Sequence, residues 1–314
     1  MEYSLYKLNF TTALHMGKHS GGASLDDGQM TIHADTLFSA LCCEAARVGQ
    51  IDQLVKYFAD GTLTISDALP YAEEELFLPK PILFVGNKKR EGDASLKKKL
   101  KSLEFIPLSS FREYLKGLNQ PEVNLDKLSG IFGHLTTITR VAIKGNNPPL
   151  PYHVAAWKFA SGCGLYIIVR FEQDEALDTF ETLLANLGLS GIGGKQSSGL
   201  GKFKVQQSPV PAELIELIEE EPAEYQMLLG TALPVDAELD KILQNGWYTV
   251  VRRGGFIRSE NYAPGQLKKR SIYMLAPGSC LPSRFKGGMY DLSDNGGAHP
   301  VWRCGRTLFA GVNL

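Results

Sequence analysis

Gly188-Leu189-Ser190-Gly191-Ile192-Gly193-Gly194-Lys195-Gln196-Ser197-Ser198-Gly199-Leu200-Gly201-Lys202-Phe203 is the stretch on which the reading of this chain turns. It holds six glycines, three serines and two lysines. Glycine lets backbone amides face outward and lets another molecule's backbone come close. Serine hydroxyls and lysine ammonium groups add donors in the same place. This is the composition of a phosphate cradle.

The flanks decide which kind. Upstream, Asp174 followed by Leu177, Phe180, Leu184 and Leu187 at helical spacing predicts a helix that Gly188 can end. Downstream, Phe203-Lys204-Val205 opens a strand over 202–207. A Walker A loop needs strand, glycine loop, then helix; counting back from Gly194-Lys195, its first glycine falls on Leu189, and Gln196 stands where Ser or Thr is required. The dinucleotide fingerprint needs the same order and fails with it. Without a helix N-terminus after the glycines, there is no dipole to grip a pyrophosphate. An extended polyanion lying across a sheet fits better. A flexible helix-to-strand connection is the plain alternative, although six glycines exceed what one turn requires.

Further out, Gly164-Leu165-Tyr166-Ile167-Ile168-Val169-Arg170-Phe171 is the clearest strand, rich in β-branched and aromatic residues. Tyr3, Leu5, Tyr6, Leu8 and Phe10 suggest a first strand, and a polar, glycine-rich loop follows from His15 to Gln29. Asp35 can cap a helix with Leu37, Leu41, Ala45 and Val48 on one face and Gly49 at its end. Residues 62–81 are strand-like. Residues 80–118 break the rhythm with ten Lys/Arg against four Asp/Glu, including the run Leu96 to Lys101. That segment reads either as a solvated insertion or as a basic arm that touches RNA. Order resumes at Tyr152. The sequence β-α-β, insertion, β-α-loop-β predicts a ferredoxin-like split βαβ domain over 1–208, interrupted at about 80–150 and carrying the glycine-rich loop at 188–203.

After Pro209 the character changes. Residues 211–244 hold nine acids and one lysine, and residues 250–286 hold eight Lys/Arg and one Glu. Strand candidates at 227–233, 247–252, 271–276 and 307–312 predict a second α+β domain over 209–314.

The 314 residues carry 44% apolar and 21% charged side chains with a net charge of −1, so any nucleic-acid surface must be local. No apolar run approaches a membrane span, and no secretory leader is expected. Five cysteines without a Cys-x-x-Cys pair read as reduced residues of a cytoplasmic protein. No cofactor and no metal site are expected. Gly-x-Ser-x-Gly and His-Glu-x-x-His are absent. Of six histidines, His15, just after the first strand, is the one candidate general base for RNA cleavage; a polar contact to RNA or backbone is its other reading.

The block from Gly191 to Phe203 resembles the glycine-rich signature of the RAMP superfamily of CRISPR systems. Phe10 to His15, His33-Ala34-Asp35-Thr36-Leu37-Phe38-Ser39-Ala40-Leu41, Gly254-Gly255-Phe256, Leu267-Lys268-Lys269, Pro277-Gly278-Ser279 and His299-Pro300-Val301-Trp302-Arg303 are similar to the family of fourth Csm subunits of type III-A effector complexes. The resemblance implies an α+β protein of two ferredoxin-like, RRM-related domains with a basic thumb-like insertion. It implies a non-catalytic RNA scaffold that holds the repeat-derived 5′ tag of the CRISPR RNA. The expected partners are that RNA, the large polymerase/nuclease subunit and a backbone RAMP subunit, with no membrane. RNA-binding roles are implied for Gly191, Gly193, Gly194, Lys195, Gln196, Ser197, Ser198, Gly199, Gly201 and Lys202, and for His15, Arg140, Lys268 and Lys269. Some RAMP relatives are metal-independent endoribonucleases with a histidine base, which leaves a CRISPR RNA-processing enzyme using His15 as the alternative.

Overall fold

In the computed structural model, residues 2–18, 25–84, 102–118, 130–143, 148–259, 261–293 and 297–314 are described. The first sheet is built from β1 (Glu2–Phe10), β2 (Leu63–Ile65), β3 (Leu69–Ala72), β4 (Glu75–Pro79), β5 (Phe105–Pro107), β8 (Cys163–Phe171) and β9 (Phe203–Ser208), ordered β5-β4-β3-β8-β1-β9 with β2 also on β8. The β3-β8-β1-β9 core is antiparallel throughout. Helices α1 (Ala34–Arg47) and α4 (Asp174–Ser190) provide the two crossovers of a split βαβ unit. Between β5 and β8, β6 (Gly133–Ala142) and β7 (Leu150–Phe159) pair as a hairpin from Gly133↔Phe159 to Ala142↔Leu150.

β8 is apolar from Leu165 to Val169 because both faces of that stretch are covered. Leu165, Ile167, Val169 and Phe171 pack with Tyr6 and Leu8 under α1, α4 and α2 (Ile51–Asp60). The alternate residues Tyr166 and Ile168 join Leu5 in a second core with Phe111 and Leu115 of α3 (Phe111–Gly117) and with Leu214, Leu217 and Ile218 of α5 (Ala212–Glu219). Met227, Ala310 and Val312 complete that core, so the far face of the first sheet is covered by the C-terminal part of the chain.

The C-terminal part repeats the strand order in reduced form. β10 (Tyr225–Leu228) lies between β13 (Cys280–Leu281) and β16 (Phe309–Val312), and Trp247 adds an antiparallel bridge to Cys280. With α6 (Asp236–Leu243) after β10, this is again strand order 2-3-1-4 with one crossover helix. The second crossover is irregular and carries the hairpin of β14 (Met289–Asp291) and β15 (Trp302–Cys304), whose Met289 and Trp302 pack on the first core. A separate ribbon, β11 (Val250–Arg253) with β12 (Ile272–Leu275), lies between the second and third positions. The architecture is α+β with antiparallel sheets.

Several sequence expectations change in detail. Asp35 does not cap α1; His33 holds that position, and Asp35 is a fully buried ion-pair residue in the first turn. Gly188 lies inside α4, where a Cβ would press on the Phe203 carbonyl, and Gly191 (φ 87°) ends the helix instead. Order begins before Tyr152, with β6. Within 80–118, Ile106 and Phe111 are core residues because β5 extends the sheet edge, while the lysine run 96–101 lies outside the described residues.

Candidate nucleic-acid interface

Residues 11–16, which follow β1, form the backbone of the site. On one side, the Leu14 amide donates to the Trp157 carbonyl at 2.8 Å and the Leu14 carbonyl accepts from the Trp157 amide at 2.7 Å, tying the segment to β7. On the other side, the Gly194 amide donates to the His15 carbonyl and the Gly201 amide to the Ala13 carbonyl, each at 2.9 Å. Both arms of the glycine-rich loop are therefore tied to this segment. The Ile192 amide donates to the Gly201 carbonyl at 2.9 Å and closes the loop at its neck.

This closure explains most of the glycines. A Cβ at Gly193 would stand 2.5 Å from the His15 carbonyl oxygen, and one at Gly194 2.6 Å from the His15 ring. At Gly191 it would meet the Leu200 carbonyl, and at Gly201 it would collide with Ile192. The sequence reading ascribed these glycines to the approach of an outside backbone; within the chain, that approaching backbone is residues 13–16 and the loop itself. Gly199 differs: its φ is +81°, yet nothing lies within 4 Å of its Cβ position.

The tip of the loop is a single 3-10 turn over Gln196–Ser198, entered through Lys195 in a left-handed conformation (φ 60°). Amides of Ser198, Gly199 and Leu200 bond within the turn. Among the described residues, no acceptor meets the amides of Lys195, Gln196 or Ser197. Ser197 and Ser198 are exposed, and Lys202 extends outward while its backbone bonds Thr11 and Thr12.

The hairpin supplies one wall. Register places Arg140 opposite Tyr152, and their side chains flank the tip. The Lys195 ammonium sits 4.6 Å from the Tyr152 ring centroid and 3.4 Å from its hydroxyl. Arg140 donates to the Ser198 carbonyl at 3.5 Å. Val154 and Ala156, on the same hairpin face, rest on Leu200.

The C-terminal part supplies the other wall. Arg258 donates to the Gln196 side-chain oxygen, and its own carbonyl accepts from Cys43 of α1. Next to it, Phe256 and Lys268 form an isolated bridge, with the Lys268 ammonium 5.3 Å from the Phe256 ring. Lys269 is half-buried on α1 rather than presented at this wall; burial lowers its pKa, Arg253 lowers it further, and Cys43 and Cys42 oppose the shift.

His15 is 6% exposed. Its Nδ1 bonds the Ala155 carbonyl at 2.6 Å, so Nδ1 carries the proton and the rest of the ring packs over Gly194. That is the geometry of a spacer between hairpin and loop, and it gives substrate little access to the ring. Tyr152 and Arg258 were not singled out from sequence. Tyr152 needs the register of the hairpin, and Arg258 is one of eight basic residues in 250–286 with no local pattern to set it apart.

Beneath the site the two parts of the chain are tied by charge. Asp35 accepts from Arg253 at 3.0 and 3.1 Å and is in close contact with the Arg303 guanidinium. Arg303 is 1% exposed. Burial pushes both arginines down to about 10, with nearby Asp67 opposing the shift at Arg253. Asp67 in turn accepts from the amides of Ala34 and Thr231, each at 2.7 Å, and pairs with His33.

Among the described residues, no group of three or more His, Cys, Asp or Glu is placed to hold a metal ion, and no helix is long and apolar enough to cross a membrane.

The RAMP superfamily matches residues 7–204, and the CRISPR Csm4 C-terminal domain matches residues 221–312. The CRISPR system Cms protein Csm4 of Mycobacterium tuberculosis is 33% identical, covering 98% of this chain and 97% of the relative. The protein of the same name from Streptococcus thermophilus is 30% identical, with 98% of each covered. Among solved structures, a chain of the Csm3-Csm4 subcomplex of the type III-A CRISPR-Cas interference complex superposes with a TM-score of 0.66, 18% identity and full coverage of both chains. A chain of the Csm1-Csm4 cassette in complex with cA4 gives 0.62 at 21% identity, covering 100% of this chain and 99% of that one.

Proposed function

The chain belongs to the Csm4 family within the RAMP superfamily, and from that premise we propose that it is a non-catalytic scaffold holding the repeat-derived 5′ tag of a CRISPR RNA in a type III-A complex. The observation that carries this reading is the tip of the glycine-rich loop. There Lys195, the outward serines and three uncommitted amides lie beside Arg140, a donor-rich surface on a chain of near-zero net charge. Single-stranded RNA is gripped through its backbone and by stacking on aromatic rings, and Tyr152 stands at the same place. Relatives of the same fold occur in a Csm3-Csm4 subcomplex and in Csm1-Csm4 cassettes. By analogy, this chain would bridge a backbone RAMP subunit and the large polymerase/nuclease subunit. The same reading divides the chain into domains at 1–208 and 209–314, with β6 inside a thumb-like insertion of about 80–150 and β7 starting where it ends.

The test uses the assembled complex. Lys195→Glu with Arg140→Glu should reduce the CRISPR RNA that copurifies by at least about tenfold, because two phosphate contacts become repulsions. Unchanged RNA content would overturn the reading. Glycine substitutions are poor probes, since most of them would also unseat the loop from His15. The endoribonuclease alternative is tested with repeat RNA and purified chain: metal-independent cleavage lost in His15→Ala would replace the scaffold reading.

A further inference from the structure

We propose that Arg258 is a second RNA-backbone contact, supplied by the C-terminal part of the chain, so that the strand is gripped from both sides of the Gln196–Ser198 turn. The inference rests on the reading of that loop as an RNA-holding site. It adds a residue, and a participating region, to it.

Arg258 is placed by its neighbours. Ile257 is buried, and its amide donates to the Leu267 carbonyl at 2.9 Å. The Arg258 carbonyl accepts from Cys43, which holds the backbone on α1. From that mount the exposed side chain reaches the Gln196 oxygen, while Arg140 reaches the Ser198 carbonyl from the hairpin. Two guanidiniums from remote parts of the chain thus bracket one turn, contacting residues two positions apart.

The charge around Arg258 favours an anion from outside. Several arginines elsewhere have carboxylates: exposed Arg47 with Glu44 and exposed Arg112 with Glu216 and Glu220, half-buried Arg284 with Glu221, whereas exposed Arg252 and Arg270 bond the Ser271 hydroxyl and the Asp291 carbonyl. Arg258 meets a neutral amide instead, and among the described residues no carboxylate forms an ion pair with it. Residues 188–203 contain no acid, and Glu44, on the same helix as Cys43, is already engaged by Arg47 at 2.6 Å. Only one of the five guanidinium donors is taken by Gln196, which leaves the rest of the planar fork for a phosphate.

The experiment measures binding of a short single-stranded RNA, carrying the repeat-derived 5′ end, to the full chain across a salt series. Each phosphate contact on a single strand contributes a slope of about −0.7 in log K against log salt. Arg258→Ala should make the slope shallower by about 0.7 and weaken binding roughly 5- to 10-fold at low salt. Arg258→Lys should restore the slope, because the charge is kept, with a loss of about 2- to 3-fold from the missing fork. Arg112→Ala, a paired arginine remote from the loop, should leave the slope unchanged. If wild type shows no salt-dependent binding, the RNA-holding reading itself fails. If wild type binds and Arg258→Ala keeps the full slope while its melting temperature falls, Arg258 only ties the C-terminal part to the loop and the inference is overturned.

Discussion

Arg253 and Arg303 under α1, and Arg140 and Arg258 around the glycine-rich turn, place the same functional group in opposite settings. The first pair is buried and converges on the single carboxylate of Asp35. The second pair reaches solvent, with Arg258 exposed and Arg140 half-buried, and meets one backbone carbonyl and one side-chain amide. Burial makes a guanidinium dependent on its partner, because the charge has no water to return to. Exposure leaves the charge solvated and available. The buried pair joins the two parts of the chain, and the second pair faces outward from the join.

The largest expected effect comes from removing the shared partner. Asp35→Ala leaves two buried cations without their carboxylate and should cost about 3–5 kcal/mol in urea unfolding. A loss below about 1 kcal/mol would break the contrast between the two pairs.

Next come the loop glycines, which separate packing from conformation. Gly201 and Gly199 have similar φ, +74° and +81°, but only Gly201 is enclosed. Gly199→Ala should cost about 1–2 kcal/mol for the left-handed backbone alone. Gly201→Ala adds a collision with Ile192 and should cost more, by about 1–3 kcal/mol. Equal losses at the two positions would mean that the loop yields easily.

Arg140→Ala should leave stability within about 0.5 kcal/mol, as an exposed contact does. Its effect should instead be several-fold on RNA affinity, at a 3.5 Å contact that carries little structure. The smallest effect concerns Lys269, whose folded pKa lies below its ordinary value of 10.5 because it is desolvated and close to Arg253. The unfolded chain therefore holds that proton more tightly, and stability from this group rises as pH climbs from the folded pKa toward 10.5. Lys269→Gln should be slightly more stable than wild type at neutral pH, and the gap should narrow in alkaline thermal melts.

The elements that sequence made legible are those whose pattern is local. The apolar run of β8 and the helix-loop-strand order around the glycines could be read directly, and that order was enough to reject nucleotide-binding motifs. Helix α2 carries a local signal as well, in the spacing of Leu54, Tyr57 and Phe58. What stayed hidden depends on pairing between distant segments. Asp35 looks like a helix cap until Arg253 and Arg303 arrive from the far end of the chain. The neighbours of Lys195 required the hairpin register that sets Tyr152 opposite Arg140. The composition of the glycines points to close backbone approach, but that residues 13–16 run beside them shows in no local pattern.

The three-layer stitch of β7, residues 11–16 and the glycine loop has a consequence in time as well as in space. The loop is shaped by contacts within the chain, so it need not be ordered by a ligand, and for the proposed RNA the ordering cost would fall on the strand alone. Association then has no folding step to wait for. Its rate should follow ionic strength as electrostatic steering does, with a single kinetic phase.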